Sequence, residues 1–279
     1  MIRPRLFNAN DESELSQTGY VLIHQLFTEA EVNAMLDLYR CSHLTEMDPK
    51  ATLWNSLYDI PTEEGLKISD KLVSIIHPKL ASVLQDFKAP VAMFMSKNKG
   101  DQSECELHRD TSAFDENKYE FLNIWIPLVD CDEKNGSIYF LRGSNHFFDY
   151  PRPPALTWPY KHLTKALLPQ AETVIAKAGD CVLFSGKALH GSHHNYTDQY
   201  RPVVFIGAVA PEAELLYYFY DEQNNEVRAY AVPHDFYFGK DFSEPVGKYP
   251  ESLRFDYNPP KMDATEVIAG LSKYKSKVE

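Results

Sequence analysis

Residues 121–147 read FLNIWIPLVDCDEKNGSIYFLRGSNHF. Two runs rich in β-branched and aromatic residues flank Asn135-Gly136, the dipeptide best suited to a two-residue hairpin turn. The stretch therefore predicts two strands joined by a tight turn. Outward from it, residues 177–192 (KAGDCVLFSGKALHGS) predict a turn at Gly179-Asp180 and a strand from Cys181 to Phe184. Residues 201–210 (RPVVFIGAVA) predict a continuous apolar strand, and residues 91–98 (VAMFMSKN) an alternating one. The centre of the chain, residues 91–210, is thus expected to be β.

Two polar motifs sit at the edges of these strands. Residues 104–114 (ECELHRDTSAF) carry His108 and Asp110 two positions apart, and on a strand such side chains leave the same face and can grip one metal ion. In a chain with 10 histidines the triplet alone is a weak signal, and a hydrogen-bonded histidine beside a turn carboxylate is the bland alternative. Residues 189–201 (LHGSHHNYTDQYR) add the candidate third ligand, His190. Two histidines and one carboxylate on one face suit iron(II) and leave the opposite coordination positions open for a cosubstrate and dioxygen. His193 and His194 are rivals for the third place, and as adjacent strand residues only one of them could face the site. Arg201 lies eleven residues beyond His190. Its planar guanidinium could fork onto a carboxylate, the pattern expected of an oxygenase fed by a keto acid.

With these parts in this order, the chain resembles the phytanoyl-CoA dioxygenase family of iron(II)- and 2-oxoglutarate-dependent oxygenases. The resemblance runs from about Met93 to Ala210 and more loosely back to Gly19. It rests on the His108–Asp110 pair, the NIWIPL segment with Trp125, EKNGSIYFLRGS, AGDCVLF, and His190-Gly191-Ser192 with Arg201. It implies a mainly β, double-stranded β-helix (jelly-roll, cupin-like) core, with iron held by His108, Asp110 and His190. It further implies that the distal carboxylate of 2-oxoglutarate meets Arg201 and Ser192, and that Trp125 lines the cosubstrate pocket. The choice of His190 over His193 and His194 follows from its spacing to Arg201 and the Gly-Ser after it. The implied reaction is oxidative decarboxylation to succinate and carbon dioxide with hydroxylation of an unactivated carbon. Asp110 favours hydroxylation over halogenation, since related halogenases have a small residue there. The chain departs from the family in carrying Arg109 where glutamine is usual, and Arg142-Gly143-Ser144-Asn145 where Pro-Gly-Ser-His is usual. Arg109 and His193 are accordingly candidate substrate contacts.

Composition narrows the classes. At 279 residues, 44% hydrophobic and 24% charged, the chain reads as one globular domain, 1–279, with an ample core. A net charge of −12 and the absence of a basic stripe speak against nucleic acid. The only basic run, SKYKSK at 272–277, reads as the solvated end of a helix. No apolar run is long enough to span a membrane, and residues 1–14 (MIRPRLFNANDESE) lack a signal-peptide core. The expected location is cytoplasmic. Cys41, Cys105, Cys131 and Cys181 are scattered and are expected to be free thiols. The expected partner is a small-molecule or peptide substrate, and no feature specifies an oligomer.

Around the core, residues 1–90 read as a helical shoulder with one early strand, Gly19–His24 (GYVLIH). Thr28 and Glu31 form a capping box ahead of Val32, Met35, Leu36 and Tyr39, one apolar helix face. Residues 149–169 (DYPRPPALTWPYKHLTKALLP) contain five prolines, which exclude a central strand, and three aromatics, which favour order; a lid over the site is expected there. Residues 211–279 form a C-terminal extension, with a hairpin around Asn224-Asn225 and a capped helix beginning MDATEV. Two other classes fit part of the pattern. A cupin-like metal enzyme that does not use 2-oxoglutarate would need no Arg201, and a non-catalytic β-barrel binding protein would be expected to have lost a ligand.

Overall fold

The run NIWIPL is apolar apart from Asn123 because both of its faces are covered. The computed structural model describes residues 1–46, 52–100, 103–239 and 247–274. In chain order its elements begin with β1 (Arg5–Leu6), α1 (Ala9–Thr18), β2 (Tyr20–Ile23), α2 (Glu29–Arg40) and β3 (Leu53–Asn55). They continue with α3 (Thr62–Val83), β4 (Leu84–Gln85), β5 (Ala92–Lys97), β6 (Cys105–His108), β7 (Leu122–Pro127) and β8 (Ile138–Phe140). Next come α4 (Thr164–Leu167), β9 (Glu172–Thr173), β10 (Cys181–Ser185), β11 (His190–Ser192) and β12 (Arg201–Ala208). The chain closes with β13 (Leu216–Asp221), β14 (Glu226–Ala231), β15 (Glu251–Asp256) and α5 (Ala264–Leu271).

A six-stranded sheet, β2-β10-β7-β12-β5-β3, faces a four-stranded one, β6-β11-β8-β9, and every pairing in both is antiparallel. This is the double-stranded β-helix, open at its edges rather than closed into a barrel. The side-chain period of two sorts each central strand. Leu122, Ile124 and Ile126 of β7, with Val204 and Ile206 of β12, pack outward against Met35, Leu72 and Ile76 of the helices. Trp125 and Val203 point inward to meet Phe140 of the opposite sheet, together with Phe184. Each such fully buried side chain contributes roughly 1.5–3 kcal/mol.

The shoulder begins as expected. Thr28 Oγ1 accepts from the Glu31 amide, and Glu31 Oε2 accepts from the Thr28 amide at 2.8 Å, closing the capping box of α2. The early strand joins the large sheet as an edge, and all four cysteines are free.

Two expectations are corrected. The strands on either side of Asn135-Gly136 are not a hairpin. β7 pairs with β10 and β12, whereas β8 pairs with β11 and β9. Residues 128–137 therefore cross from one sheet to the other, and Gly136 supplies a positive φ of 83° at the turn. The C-terminal hairpin around Asn224-Asn225 is present but gains a third strand, β15, on β14. Asp263 caps α5 through the amides of Thr265 and Glu266, while residues 275–277 of the basic run lie outside the described residues.

Residues 149–169 are anchored by a few buried side chains. Trp158, Tyr160, Leu163 and Leu167 pack between the outer face of the small sheet and Val267 and Leu271 of α5. Arg152 and Pro154 reach the larger interior cavity described below, and residues 154–158 with Lys161 line a further pocket of about 510 Å³ that His108 shares.

Candidate active site

His108 ends β6 and His190 begins β11, and the two stand directly opposite each other in the ladder. Their rings lie 4.5 Å apart. Asp110 lies two residues past the end of β6, so strand alternation does not aim it, contrary to the simple expectation. Asn123, on the inward face of β7, donates its Nδ2 to Asp110 Oδ2 at 2.5 Å and sets its direction. The result is a cluster in which one donor atom from each of His108, Asp110 and His190 lies within 4.8 Å of the others. It is the one such group among the described residues.

The ring orientations suit a metal. His108 Nδ1 donates to the Glu106 carbonyl at 2.7 Å and His190 Nδ1 to the Ala188 carbonyl at 3.1 Å. Each Nε2 is thereby turned toward Asp110, at 3.7 Å from Oδ1 for His108 and 3.6 Å from Oδ2 for His190. These gaps are too long for hydrogen bonds and leave room for a shared ion. Burial pushes His190 down to about 4, so its ring is neutral and its lone pair free. Burial opposes ionisation of Asp110, but His190 and His108 outweigh it and hold the carboxyl at about 2. Against its own burial, His108 is drawn up to about 10 by Cys105 and Asp110. That is the response of a basic nitrogen to concentrated negative charge, and a divalent cation there would take the proton's place. The donor set and its geometry fit iron(II).

Arg201 enters from the first residue of β12, and its guanidinium carbon stands 5.5 Å from the Trp125 ring centre. It is 3% exposed, and its Nε has no hydrogen-bond partner. The ionisable groups that act on it are the thiols of Cys131 and Cys105, with no carboxylate among them. Lys97, opposite Arg201 on β5, adds a second buried cation, pushed down to about 7 by burial and by Arg201. Its ammonium is held by the Ser103 carbonyl. A cavity of about 110 Å³ is lined by His108, Asp110, His190, Trp125, Ser192 and Arg201. All six residues expected from the sequence for metal and cosubstrate thus meet in one space. A buried cation without an anion is costly, and a carboxylate brought in by a ligand would relieve it.

The two expected substrate contacts fall elsewhere. Arg109 is 1% exposed and is clamped by Glu116, with Nη2 2.7 Å from both carboxylate oxygens. Its Nη1 donates to the carbonyls of Phe148 and Tyr150. His193 Nε2 pairs with Thr173 Oγ1 at 2.7 Å, and His194 stands against Glu104. None of the three lines the cavity. The departures at residues 142–146 are structural as well: Arg142 bonds the Tyr274 carbonyl, and His146 stacks on the Tyr274 ring. Asn123 was not anticipated. Its signal is a lone amide inside an apolar run, where a buried polar group must have a partner.

The model of the family described as phytanoyl-CoA dioxygenase (PhyH) matches residues 15–203, more than half of the chain. The chain belongs to the phytanoyl-CoA dioxygenase family. That places it among the iron(II)- and 2-oxoglutarate-dependent oxygenases. No curated protein matches the sequence. Among solved structures it is similar to SnoK, a non-heme α-ketoglutarate-dependent carbocyclase from nogalamycin biosynthesis. The identity is 17% and the TM-score 0.55, covering 75% of this chain and 86% of that one. It is also similar to HygX from Streptomyces hygroscopicus, solved with nickel, 2-oxoglutarate and hygromycin B. Here the identity is 16% and the TM-score 0.53, over 74% of this chain and 88% of that one. The epimerase SnoN, also from nogalamycin biosynthesis, is 18% identical with a TM-score of 0.53, over 90% of this chain and 92% of that one. At these identities the likeness is one of fold. Among the described residues no helix is long and apolar enough to cross a membrane.

Proposed function

We propose that this family member hydroxylates an unactivated carbon of a small organic substrate, with His108, Asp110 and His190 as the iron ligands. The bound iron and 2-oxoglutarate supply the oxidising chemistry: one oxygen atom of dioxygen enters the substrate C–H bond, the other enters succinate, and carbon dioxide leaves. The chain's own residues prepare that chemistry. Carbonyls of Glu106 and Ala188 fix the tautomers of the two histidines, and Asn123 fixes the carboxylate. Arg201 and Ser192 take the distal carboxylate of 2-oxoglutarate, and Trp125 forms the wall beside it. Apolar side chains around the cavity keep water from the reacting centre.

The observation that carries this reading is Arg201, a buried guanidinium in the cavity of the three ligand residues, without a carboxylate partner among the described residues. A cupin-type enzyme with no use for 2-oxoglutarate gives no reason for it. SnoK and SnoN, described as a carbocyclase and an epimerase, show that the fold carries other outcomes too. Asp110 in the ligand place supports hydroxylation over halogenation. The test is anaerobic titration of the iron(II)-loaded protein with 2-oxoglutarate. A visible charge-transfer band that saturates with the keto acid is expected, and its absence sinks the proposal.

A further inference from the structure

Beside the cosubstrate cavity lies a larger one of about 520 Å³, within the range of small-molecule sites. The two share Met93, Met95, Asp110 and Phe205, so the larger one opens onto the carboxylate of the ligand cluster. Its walls are mainly apolar, built from residues such as Leu57, Phe114, Phe121 and Leu215. Met93 and Met95 are unbranched and can adapt to an irregular ligand. Gly207 of β12 contributes an open floor: a Cβ placed there would meet no atom within 4 Å.

Among the described residues only two charged side chains line this space, Asp110 and Arg152. Arg152 is firmly placed. Its amide donates to Ser112 Oγ at 2.8 Å, its carbonyl accepts from the Ser112 amide at 2.9 Å, and Ser112 Oγ in turn donates to Glu116. One Nη donates to the Arg109 carbonyl, whereas the buried Nε has no partner. The structure thus holds a guanidinium on the wall of an apolar chamber, beside the place of reaction, with no carboxylate within ion-pair distance among the described residues.

We propose that this cavity selects a compact, mainly apolar organic acid, with the anionic group on Arg152 and the apolar body against Met93, Met95 and Phe205. This rests on the oxygenase reading for the chemistry but not for the binding. The anion anchors one end, so the carbon presented at Asp110 lies in the apolar body, remote from the acid group. A coenzyme A thioester would bring several phosphates to a lining that holds one arginine. An amine would face that arginine with like charge.

Cinnamate, cinnamamide and cinnamylamine share an apolar body and differ in head group. Their dissociation constants are measured by calorimetry on the full chain, both as isolated and after anaerobic loading with iron(II) and 2-oxoglutarate. Cinnamate is expected to bind about tenfold more tightly than the amide, with the amine weakest, the size of effect of one charge-assisted hydrogen-bonded pair. Arg152→Gln should remove the acid's advantage and leave the amide as it was, while Arg152→Lys should restore most of it. Gly207→Leu should weaken all three by filling the floor. Equal binding of acid and amine overturns the proposal, as does an unchanged order in Arg152→Gln. So does the absence of binding by all three at millimolar concentration. Loss of the charge-transfer band with the head-group order intact tells against the oxygenase reading alone.

Discussion

Two buried arginines, Arg109 and Arg201, differ in what the fold provides for them. Arg109 sits in the loop after β6, where Glu116 meets it with two oxygens and two carbonyls complete the clamp. Arg201 sits at the start of β12, equally buried, with a cavity before it and no carboxylate paired with it among the described residues; the Nε of both arginines is unpartnered, so the carboxylate makes the difference. Burying a charge costs several kcal/mol, so a fold retains one for a reason. For Arg109 the reason is inside the chain, because the pair ties the loop carrying Asp110 to the segment that begins at residue 149. For Arg201 the reason, on the function proposed above, is an anion that arrives with 2-oxoglutarate. Burial alone does not separate a structural ion from a binding group; the presence or absence of a resident partner does.

The sharpest way to break that contrast is to orphan the satisfied arginine. Glu116→Ala leaves Arg109 buried without its anion and should destabilise the protein by about 3–5 kcal/mol. Denaturant unfolding followed by circular dichroism reads this directly. A change below about 1 kcal/mol would mean that the clamp carries little of the loop's placement.

Arg201→Ala should behave in the opposite way. Removing a cation that has no resident partner should cost less than about 1 kcal/mol in folding, yet remove a charge-assisted contact to 2-oxoglutarate of about 1.5–3 kcal/mol. The apparent KM for 2-oxoglutarate should therefore rise by about tenfold to a hundredfold, and Ser192→Ala should shift it several-fold in the same direction. Unchanged 2-oxoglutarate dependence in Arg201→Ala would remove the cosubstrate role and return the site to the cupin-type alternative.

The contrast also marks what could be read before the fold was known. His108, Asp110, His190, Trp125, Ser192 and Arg201 were legible because each sits in or beside a strand of unmistakable pattern and in a known order. The capping box at Thr28 and Glu31 was legible because its chemistry is local. Asn135-Gly136 showed that the chain turns, but a turn does not say which strands pair. The long connection through residues 128–137 carries β8 to the other sheet. Arg109 was misjudged because its partner, Glu116, is recognisable only once the loop has closed. Asn123 and Arg152 were missed for the same reason: their roles come from neighbours distant in sequence. Residues 149–169 broke the strand rhythm as noted; Trp158 and Tyr160 pack with α5, and Trp158 also lines the pocket beside His108.

The smallest expected effect belongs to His193, which the same contrast places on the satisfied side. Its Nε2 is engaged by Thr173, its ring lies 4.9 Å from Tyr139, and burial lowers its pKa, so it is a neutral ring packed between strands. His193→Gln keeps a side chain able to bond Thr173. It should cost about 1 kcal/mol or less in stability, the worth of one neutral hydrogen bond with imperfect replacement. Because His193 lines neither interior cavity, the KM for the primary substrate and the ratio of 2-oxoglutarate consumed to product formed should stay within about twofold of wild type. The measurement is that ratio, followed as succinate against hydroxylated product. A rise in substrate KM without loss of stability would show that a resident partner does not disqualify a side chain from binding substrate, and the rule drawn from Arg109 and Arg201 would fail at its weakest case.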